Sequence, residues 1–300
     1  MYDILIVGGG TAGLTAAIYA RRAGRSVLVL EGTGFGGQIT SAPLVENYPG
    51  IPAVSGVDYS EALAGQARAL GAETKFGRVT AAEREGDCFV LTVGKKRYEG
   101  RCLILATGAK HRKLGVEGEE AMVGRGVSYC AVCDGGFFTG KDTAVVGGGD
   151  SALQSAIFLS GVCKSVALIH RREQFRAQNA YVEAAKAKRN ITFIMDARVS
   201  ALQGDSLLTG ITLTQGDGTQ RELAVDGLFV AVGQEPDNVP FSGLAELEGG
   251  YFKAGEDCRT ITPGVFVAGD CRTKELRQLT TAAADGSVAA TAACRWLDGQ

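Results

Sequence analysis

The stretch Ile4-Leu5-Ile6-Val7-Gly8-Gly9-Gly10-Thr11-Ala12-Gly13 decides the fold of this chain. An apolar run typical of a β-strand ends at a G-x-G-x-x-G loop, and the alanine-rich pattern of residues 14–23 predicts a helix after it. Residues 26–30 predict a second strand, which ends at Glu31. Strand, glycine loop, helix, strand and acid follow one another in the order of a dinucleotide-binding unit.

Each residue of this motif has a physical task. Gly8 permits the tight turn, Gly10 lets the backbone approach a pyrophosphate, and Gly13 lets the helix pack on the strand. The N-terminus of the helix then faces the phosphates, and Glu31 can accept a hydrogen bond from a ribose hydroxyl. Because a carboxylate repels a 2′-phosphate, this unit predicts a dinucleotide without one, FAD or NAD.

The same pattern occurs a second time, beginning at Ala144. When Gly8 is laid on Gly147, Gly10 falls on Gly149 and Glu31 falls on His170. The acid is therefore replaced by His170, which Arg171 and Arg172 follow. Because guanidinium groups bind a 2′-phosphate through paired hydrogen bonds, the second unit predicts NADP(H). The alternative for the arginines is a solvated helix start. The residues that we assign to this nucleotide are Gly147, Gly149, Asp150, Ser151, Ala152, His170, Arg171, Arg172 and Arg176.

Two cysteines, Cys130 and Cys133, are separated by two residues, and Asp134 follows directly. This spacing lets the sulfurs close a small disulfide ring, and a helix beginning here would favour thiolate over thiol. Asp134 could exchange a proton with a leaving sulfur. The alternative is half of a zinc site, which needs a second ligand pair. The other six cysteines stand alone along the chain, and neither histidine pairs with them at zinc-finger spacing.

Composition limits the class of protein. A length of 300 residues predicts two domains, and 45% hydrophobic residues suffice for their cores. A net charge of −2 without long charge runs argues against a nucleic-acid partner, and no apolar stretch reaches membrane-spanning length. The N-terminus lacks the basic region of a signal peptide, so we expect a soluble, cytoplasmic protein with mostly reduced thiols.

The remaining patterns predict how the units are connected. Two polar segments, residues 110–118 and 233–243, bracket the second unit, which indicates that it is inserted into the first. Residues 103–109 predict an apolar central strand that ends in a turn of small residues. A strand ending at Gly269-Asp270 and a helix over residues 280–297 would complete the first unit. Meander strands are predicted at residues 74–79, 88–93, 96–101, 209–215 and 220–225.

Together these motifs resemble the low-molecular-weight bacterial thioredoxin reductases, essentially from end to end. The resemblance implies an α/β fold of two Rossmann-like dinucleotide-binding domains, each a three-layer ββα arrangement. An NADPH domain (residues 113–241) carrying the dithiol would be inserted into a discontinuous FAD domain (residues 1–112 and 242–300). It also implies a homodimer and thioredoxin, or a thioredoxin-like disulfide protein, as partner. The FAD residues would be Gly8, Gly10, Gly13, Glu31, Gly37, Gln38, Asn47, Thr107, Gly108, Gly269, Asp270, Arg277 and Gln278.

The predicted chemistry is electron transfer from NADPH through FAD to the dithiol. Cys133 would face the flavin, Cys130 would attack the substrate disulfide, and Asp134 would protonate a sulfur. The family usually has two glutamates where this chain has Gln154 and Ser155. Arg125, Phe137 and Phe138 match family positions near the thioredoxin-binding face, and buried phenylalanines with a surface arginine are the alternative. Two other functions stay open: reduction by ferredoxin instead of NADPH, and a non-catalytic flavin or dithiol sensor.

Overall fold

The fold is described from a computed structural model that covers all 300 residues. The chain forms two compact units. Unit 1 comprises Met1–Lys110 and Glu235–Gln300, and unit 2 comprises His111–Gln234. One unit is therefore inserted into the other, so that both ends of the chain belong to unit 1.

The first part of unit 1 begins with alternating strands and helices. They are β1 (Tyr2–Val7), α1 (Thr11–Arg22), β2 (Val27–Glu31), α2 (Gly56–Ala69) and β3 (Glu73–Phe76). Three strands then follow without a helix: β4 (Ala81–Glu85), β5 (Cys88–Val93) and β6 (Lys96–Leu105). The short strand β7 (Ala109–His111) lies where the chain leaves unit 1.

Unit 2 contains eight strands and four helices. In chain order they are α3 (Glu119–Met122), β8 (Val127–Ser128), α4 (Ala131–Asp134), β9 (Asp142–Val146), α5 (Asp150–Ser160), β10 (Ser165–Ile169), α6 (Asn179–Lys186), β11 (Ile191–Ile194), β12 (Ala197–Gln203), β13 (Gly210–Gln215), β14 (Gln220–Ala224) and β15 (Gly227–Val230). The chain returns through β16 (Gln234–Pro236) and completes unit 1 with β17 (Leu247–Glu248), β18 (Tyr251–Phe252), β19 (Val265–Val267) and α7 (Leu279–Asp298).

The two units share a spatial order of parallel strands, although the fifth strand comes last in the chain of unit 1 (β19) and first in that of unit 2 (β8). In unit 1 the parallel strands run in the order β3-β2-β1-β6-β19, and β4, β5 and the first half of β6 form an antiparallel meander. In unit 2 the parallel order is β11-β10-β9-β15-β8, and the meander is β12-β13-β14. The glycine-loop pattern thus recurs together with four parallel strands in the same chain order, β1, β2, β3 and β6 in unit 1 and β9, β10, β11 and β15 in unit 2.

The boundaries of the insertion differ slightly from the predicted ones. The chain returns to unit 1 between Gln234 and Glu235, seven residues before the predicted return after residue 241. The reason is packing, since Phe241 and Leu244 are buried in a core of unit 1 together with Leu5 and Phe252. The polar residues of this segment concealed that it contributes apolar side chains.

One predicted strand was assigned to the wrong partner. Residues 74–79 were expected in the meander, but β3 pairs in parallel with β2, with Val29 opposite Thr74. The meander strand is instead β4, which pairs antiparallel with β5. As an edge strand, β3 is half exposed, so its alternating pattern resembles that of a meander strand.

The core of unit 1 lies on both faces of its parallel sheet. On one face α1 and α7 cover the strands, and they approach closely because α7 carries Gly286 at the crossing. A Cβ atom at Gly286 would lie 2.3 Å from the carbonyl oxygen of Ala12. None of the helices combines the length and hydropathy of a membrane-spanning segment.

Candidate redox and dinucleotide-binding sites

The glycine loop between β1 and α1 is constrained as the motif predicts. Gly8 has φ of +104°, and a Cβ atom there would lie 2.1 Å from the carbonyl oxygen of Ala106. A Cβ at Gly13 would lie 1.9 Å from the oxygen of Gly8. Gly10 differs, because the nearest atom to its Cβ position is 3.7 Å away. Gly8 and Gly13 are thus required by packing, whereas the surface of Gly10 is open to a ligand.

The N-terminus of α1 is suited to an anion. Gly10 occupies the N-cap position, and no side chain caps the helix. The first N–H groups of a helix have no intrahelical acceptor, and the helix dipole places partial positive charge beside them. A pyrophosphate oxygen is the kind of acceptor that such a terminus binds.

Glu31 is buried and accepts several backbone hydrogen bonds. Its Oε2 atom accepts from the amide of Gly9 at 2.6 Å, and Oε1 accepts from the amides of Thr33 at 2.7 Å and Gly34 at 3.2 Å. These donors fix the carboxylate at the end of β2. Glu31 also lines a cavity of unit 1 with Gly8, Arg78 and Val79, which has the position expected for the adenosine part of a dinucleotide.

Four of the predicted flavin-binding residues lie in a 3₁₀ turn, in a loop and at the N-cap of α7. Gly37 and Gln38 begin the 3₁₀ turn Gly37–Ser41, and the side chain of Gln38 is exposed. The side-chain amide nitrogen Nδ2 of Asn47 donates to Oε1 of Gln278 at 3.2 Å, and Gln278 is the N-cap residue of α7. The structure therefore joins Asn47 and Gln278, which are separated by 231 residues.

The turn Thr107-Gly108 is held by a residue that the sequence did not indicate. Asn238 is buried, its Oδ1 atom accepts from Thr107 Oγ1 at 2.7 Å, and its amide donates to the carbonyls of Gly250 and Cys271. Asn238 lies in the polar segment that was interpreted only as a domain boundary. Nothing in the local pattern distinguishes such a buried asparagine from a solvated one.

A buried ionic cluster supports the Gly269-Asp270 turn. Asp285 of α7 accepts from the amide of Gly269 at 2.9 Å and from Lys274 Nζ at 2.8 Å. It also forms a bidentate pair with Arg272, at 2.8 and 2.9 Å. Burial opposes ionisation of Asp285, but the hydrogen bonds from Arg272 and Lys274 outweigh it and lower the pKa of this carboxyl. No pattern in the sequence indicates this cluster.

Asp270 itself retains an unused acceptor. Its Oδ1 atom is buried without a hydrogen-bond partner in the protein. Burial raises the pKa of this carboxyl, and the nearby Lys274 and Arg277 partly oppose the increase. Arg277 donates to the carbonyl of Asp270 at 3.3 Å and stacks over Tyr251. A ligand hydroxyl would supply the donor that Oδ1 lacks, and this fits the ribityl hydroxyls of FAD.

The glycine loop of unit 2 repeats the geometry of the first. Gly147 has φ of +155°, and its Cβ position lies 2.3 Å from the carbonyl oxygen of Ala231. Nothing lies within 4 Å of the Cβ position of Gly149, which is the N-cap of α5 and is uncapped by any side chain. Ser151 is exposed and Ala152 is buried in the first turn of α5. This loop also leaves room for a pyrophosphate.

The basic segment after β10 is fixed to this loop at two points. The amide of Arg176 donates to the carbonyl of Gly148 at 2.7 Å. Asp150 accepts from the backbone amide of Gln178 at 2.7 Å and from its side chain at 2.9 Å. Both carboxylate oxygens of Asp150 thus accept from Gln178 and attach the segment to the glycine loop, and contact of Asp150 with the nucleotide stays a prediction.

The basic side chains of this segment divide into two kinds. His170 is buried against Gly148, its Nε2 atom lies 3.1 Å from the carbonyl of Gln174, and its ring stacks on Phe175. Burial lowers the pKa of His170, the hydrogen bond to the carbonyl of Gln174 opposes this in part, and the neighbouring arginines lower the pKa further. Three exposed arginines form no ion pair with an acid and are available to a phosphate: Arg171, Arg172 and Arg176.

Cys130 and Cys133 form a disulfide, as the spacing predicts for a redox pair, with their Cα atoms 5.3 Å apart. Cys130 is the N-cap of the short helix α4, and its Sγ atom accepts from the amide of Cys133 at 3.2 Å. This amide would also stabilise a thiolate on Cys130. Cys130 is half-buried and Cys133 is exposed, so exposure alone does not assign the exchange role to Cys130.

Asp134 lies behind the disulfide in a partly apolar position. Its Oδ2 atom accepts from Ser128 Oγ at 2.6 Å, and its amide donates to the carbonyl of Cys130 at 3.1 Å. Burial raises the pKa of Asp134, and the hydrogen bond from Ser128 opposes this only in part. The carboxyl is therefore suited to holding and releasing a proton near the sulfurs.

Two dinucleotide folds, one of which carries a disulfide beside a half-buried acid, define an α/β oxidoreductase that couples nucleotide chemistry to a dithiol. The pyridine nucleotide-disulphide oxidoreductase family model matches residues 2–286. The thioredoxin reductase of Mycolicibacterium smegmatis is 43% identical over 304 residues, which cover 100% of this chain and 98% of that protein. The thioredoxin reductase of Listeria monocytogenes is 40% identical over 301 residues, covering 99% of this chain and 94% of the relative.

The solved structures give the same result. The thioredoxin reductase of Streptococcus pyogenes superimposes with a TM-score of 0.95 at 39% identity, over 100% of this chain and 99% of that one. The chain belongs to the pyridine nucleotide-disulphide oxidoreductase family. Membership implies that it is an enzyme with a flavin and a pyridine nucleotide as cofactors.

Proposed function

We propose that the chain is a thioredoxin-disulfide reductase, in which electrons pass from NADPH through FAD to the Cys130–Cys133 disulfide and then to a thioredoxin-like protein. The observation that carries the proposal is the disulfide at the start of α4 with Asp134 behind it. It lies in the same unit as an uncapped glycine loop and three unpaired arginines. Full-length relatives named thioredoxin reductase support the same function.

FAD would bind in unit 1. Support comes from the open surface at Gly10, the fixed carboxylate of Glu31 and the unpaired oxygen of Asp270. The chain segments that would hold FAD are those of unit 1, Met1–Lys110 and Glu235–Gln300, and the resemblance further suggests a homodimer. When bound, the flavin would supply two-electron transfer between the nucleotide and the disulfide.

NADPH would bind in unit 2, where the three arginines offer planar donors to a 2′-phosphate. The uncapped N-terminus of α5 would face the pyrophosphate. Reduction by ferredoxin is disfavoured, because a protein reduced by ferredoxin would bind no nucleotide at these arginines or at the open loop of Gly149. A non-catalytic sensor is disfavoured by the proton-handling position of Asp134 beside the sulfurs.

The reaction at the dithiol consists of one reduction and two thiol–disulfide exchanges. Hydride from NADPH carries two electrons, and with one proton from solvent they convert the Cys130–Cys133 disulfide into two thiols. The thiolate of Cys130 then attacks the substrate disulfide, forming a mixed disulfide and releasing one substrate sulfur as a thiolate. Cys133 attacks the mixed disulfide, which frees the second substrate sulfur and restores the Cys130–Cys133 bond. Asp134 would hold the proton that the departing cysteine sulfur needs and take it back later.

The test is an anaerobic titration of the yellow protein with NADPH, followed by addition of oxidised thioredoxin. We expect loss of flavin absorbance and then formation of thioredoxin thiols. Cys130→Ser should keep the first reaction and abolish the second, whereas Cys88→Ser, which removes a thiol outside the disulfide, should keep both. Disulfide turnover in Cys130→Ser would refute the role of Cys130. Flavin that NADPH does not reduce, but reduced ferredoxin does, would favour the ferredoxin alternative.

A further inference from the structure

An exposed ion pair of unit 1 lies on the cavity that Glu31 lines. Arg78 follows β3, Asp237 follows β16, and their side chains pair although 159 residues separate them in the sequence. Both residues line the cavity, and their side chains are 58% and 43% exposed. Because an exposed ion pair contributes little to stability, its position on the cavity suggests a role in binding.

The backbone places Arg78 directly beside Glu31. The amide of Gly77 donates to the carbonyl of Glu31 at 2.8 Å. A Cβ atom at Gly32 would lie 3.3 Å from the Cα atom of Arg78 and 3.5 Å from its Cγ atom. The stem of the Arg78 side chain therefore packs over Gly32, the residue that follows the carboxylate assigned to the ribose.

Asp237 is placed from the other side of the cavity. It lies between Pro236, which restricts the backbone, and the buried Asn238, whose side chain is hydrogen-bonded to three segments of unit 1. The carboxylate of Asp237 thus has a fixed origin from which it orients the guanidinium of Arg78. A guanidinium donates to a carboxylate through its edge, so both of its flat faces stay available to a ligand.

The chemistry of an adenine dinucleotide brings its base to this wall. Adenine is bonded to the ribose carbon next to the one that carries the 2′-hydroxyl, and the diphosphate is bonded at the far end of the ribose. With the ribose on Glu31 and the diphosphate at the start of α1, the base extends past Glu31 to the wall at Gly32 and Arg78. The buried Val79 adds apolar surface there. Purine rings bind such a planar cation face to face.

We infer that Arg78, oriented by Asp237, is the adenine-binding residue of unit 1, with one face of its guanidinium stacked on the base. This inference rests on the proposed function, because it assumes that the ligand of unit 1 is FAD. The glycine motif and Glu31 account for the diphosphate and the ribose, and neither contacts the base. The motif cannot reveal Arg78, which lies 47 residues after Glu31 and is oriented by a residue from the other end of the insertion.

The experiment compares wild type, Arg78→Ala, Arg78→Lys and the control Arg97→Ala after the flavin has been removed. Arg97 pairs with Glu85 in the meander of the same unit, with side chains 55% and 48% exposed, and neither lines the cavity. The dissociation constant of FAD is measured from the change in flavin fluorescence. We expect Arg78→Ala to weaken FAD binding by roughly 3- to 30-fold. Arg78→Lys should lose most of the same affinity, because lysine keeps the charge without the flat face.

The control should bind FAD as wild type does. Thermal unfolding of the flavin-free proteins is measured in parallel, and Arg78→Ala and Arg97→Ala should both unfold close to the wild-type temperature, since each loses an exposed ion pair. Asp237→Ala should weaken FAD binding less than Arg78→Ala does. Added to Arg78→Ala it should cause no further loss, because Asp237 acts through Arg78.

Two competitors locate the effect on the ligand. ADP contains the adenosine without the flavin, FMN contains the flavin without the adenosine, and each is titrated against bound FAD, so that only the site in unit 1 is observed. Arg78→Ala should raise the inhibition constant of ADP by the same factor as the dissociation constant of FAD. The inhibition constant of FMN should stay at its wild-type value.

Unchanged FAD affinity in Arg78→Ala would overturn the inference while the proposed function stands. Wild-type affinity in Arg78→Lys would overturn it too, because charge alone would then suffice. Equal losses for ADP and FMN, or a lower unfolding temperature for flavin-free Arg78→Ala than for Arg97→Ala, would show that Arg78 supports the fold and not the base. Failure of the wild-type protein to bind FAD would refute the proposed function as well.

Discussion

Asp134 illustrates how a single half-buried group links the fold to the chemistry. Its carboxyl is held by Ser128 at 2.6 Å, and burial raises its pKa. If it supplies the proton for a departing sulfur, Asp134→Asn should slow disulfide turnover by about 10²-fold. Reduction of the flavin by NADPH should be unaffected, because that step does not involve the sulfurs. Stopped-flow absorbance separates the two steps, and equal slowing of both would contradict the assigned role.

The raised pKa also fixes the sign of a stability effect. The folded protein holds the proton of Asp134 more tightly than the unfolded chain, whose aspartate pKa is about 3.9. Stability contributed by this group is therefore lost as pH rises from that value through the folded pKa. Asp134→Asn should raise the unfolding temperature more at about pH 7 than at about pH 4. A larger gain in acid would show that the carboxyl is not desolvated.

Asp285 has the opposite character, because it is a buried anion that balances buried cations. Asp285→Asn leaves Arg272 and Lys274 without their shared carboxylate, which should lower the free energy of unfolding by about 3–5 kcal/mol. Asp298→Asn is the matched control on the same helix, since Asp298 is an exposed partner of Arg25 and should cost less than about 1 kcal/mol. Urea unfolding measures both, and similar costs would contradict the structural role of the cluster.

The lowered pKa of Asp285 predicts where this stabilisation disappears. A carboxyl with a depressed pKa in the folded state stabilises the protein above the unfolded value of about 3.9. That contribution is lost as pH falls through the folded pKa. The difference in unfolding free energy between wild type and Asp285→Asn should therefore be full near pH 7 and shrink in acid. A difference that is constant with pH would mean that charge is not its cause.

At the scale of an element, the segment after β10 is a basic loop attached to a glycine loop. The loop is attached through Gln178 and the backbone of Arg176. Its guanidinium groups, on Arg171, Arg172 and Arg176, remain exposed to solvent. Replacing Arg171 and Arg172 by alanine together should reduce kcat/KM for NADPH by roughly 100-fold, because charge-assisted hydrogen bonds to the 2′-phosphate are lost. The value for NADH should change little, since NADH lacks that phosphate.

The control for this experiment is Arg189→Ala, which removes an exposed arginine of the same unit before β11. It should leave the ratio of the two kcat/KM values as in wild type. An equal loss for NADPH and NADH in the double variant would mean that the arginines act on shape or general charge. Gln178→Ala should lie between these cases, because it loosens the loop without removing a charge.

The same elements indicate how far the sequence could predict the molecule. The glycine loops, the disulfide and the parallel strands follow from local patterns, and the recurrence gave the topology of both units. Partners across the fold could not be inferred, because Asn238, Gln178 and Asp285 resemble ordinary surface residues until the chain is folded. For the same reason β3 was assigned to the meander, since a period of two indicates a strand but not its neighbour.

At the scale of the whole molecule, the chain consists of two units with separate cores. The hydrophobic cores of unit 1 lie around its parallel sheet. The hydrophobic cores of unit 2 lie around the sheet that carries the basic loop. Every residue assigned to FAD lies in unit 1, and every residue assigned to NADPH lies in unit 2. Since a ligand stabilises only the structure that binds it, the unfolding transition of each nucleotide-binding unit should shift with its own ligand.

Calorimetric unfolding should therefore resolve two transitions that move independently. Removing FAD should lower the transition of unit 1 by about 5–10 °C relative to protein with FAD at about 100 times its dissociation constant, and leave the other in place. Adenosine 2′,5′-bisphosphate should raise the transition of unit 2, whereas 5′-AMP, which lacks the 2′-phosphate, should raise it less. The bisphosphate cannot donate hydride, so the response reports binding alone. A single transition that both ligands shift equally would mean that the two units unfold together. Which unit binds which nucleotide would then be measured by ligand binding to variants of each glycine loop.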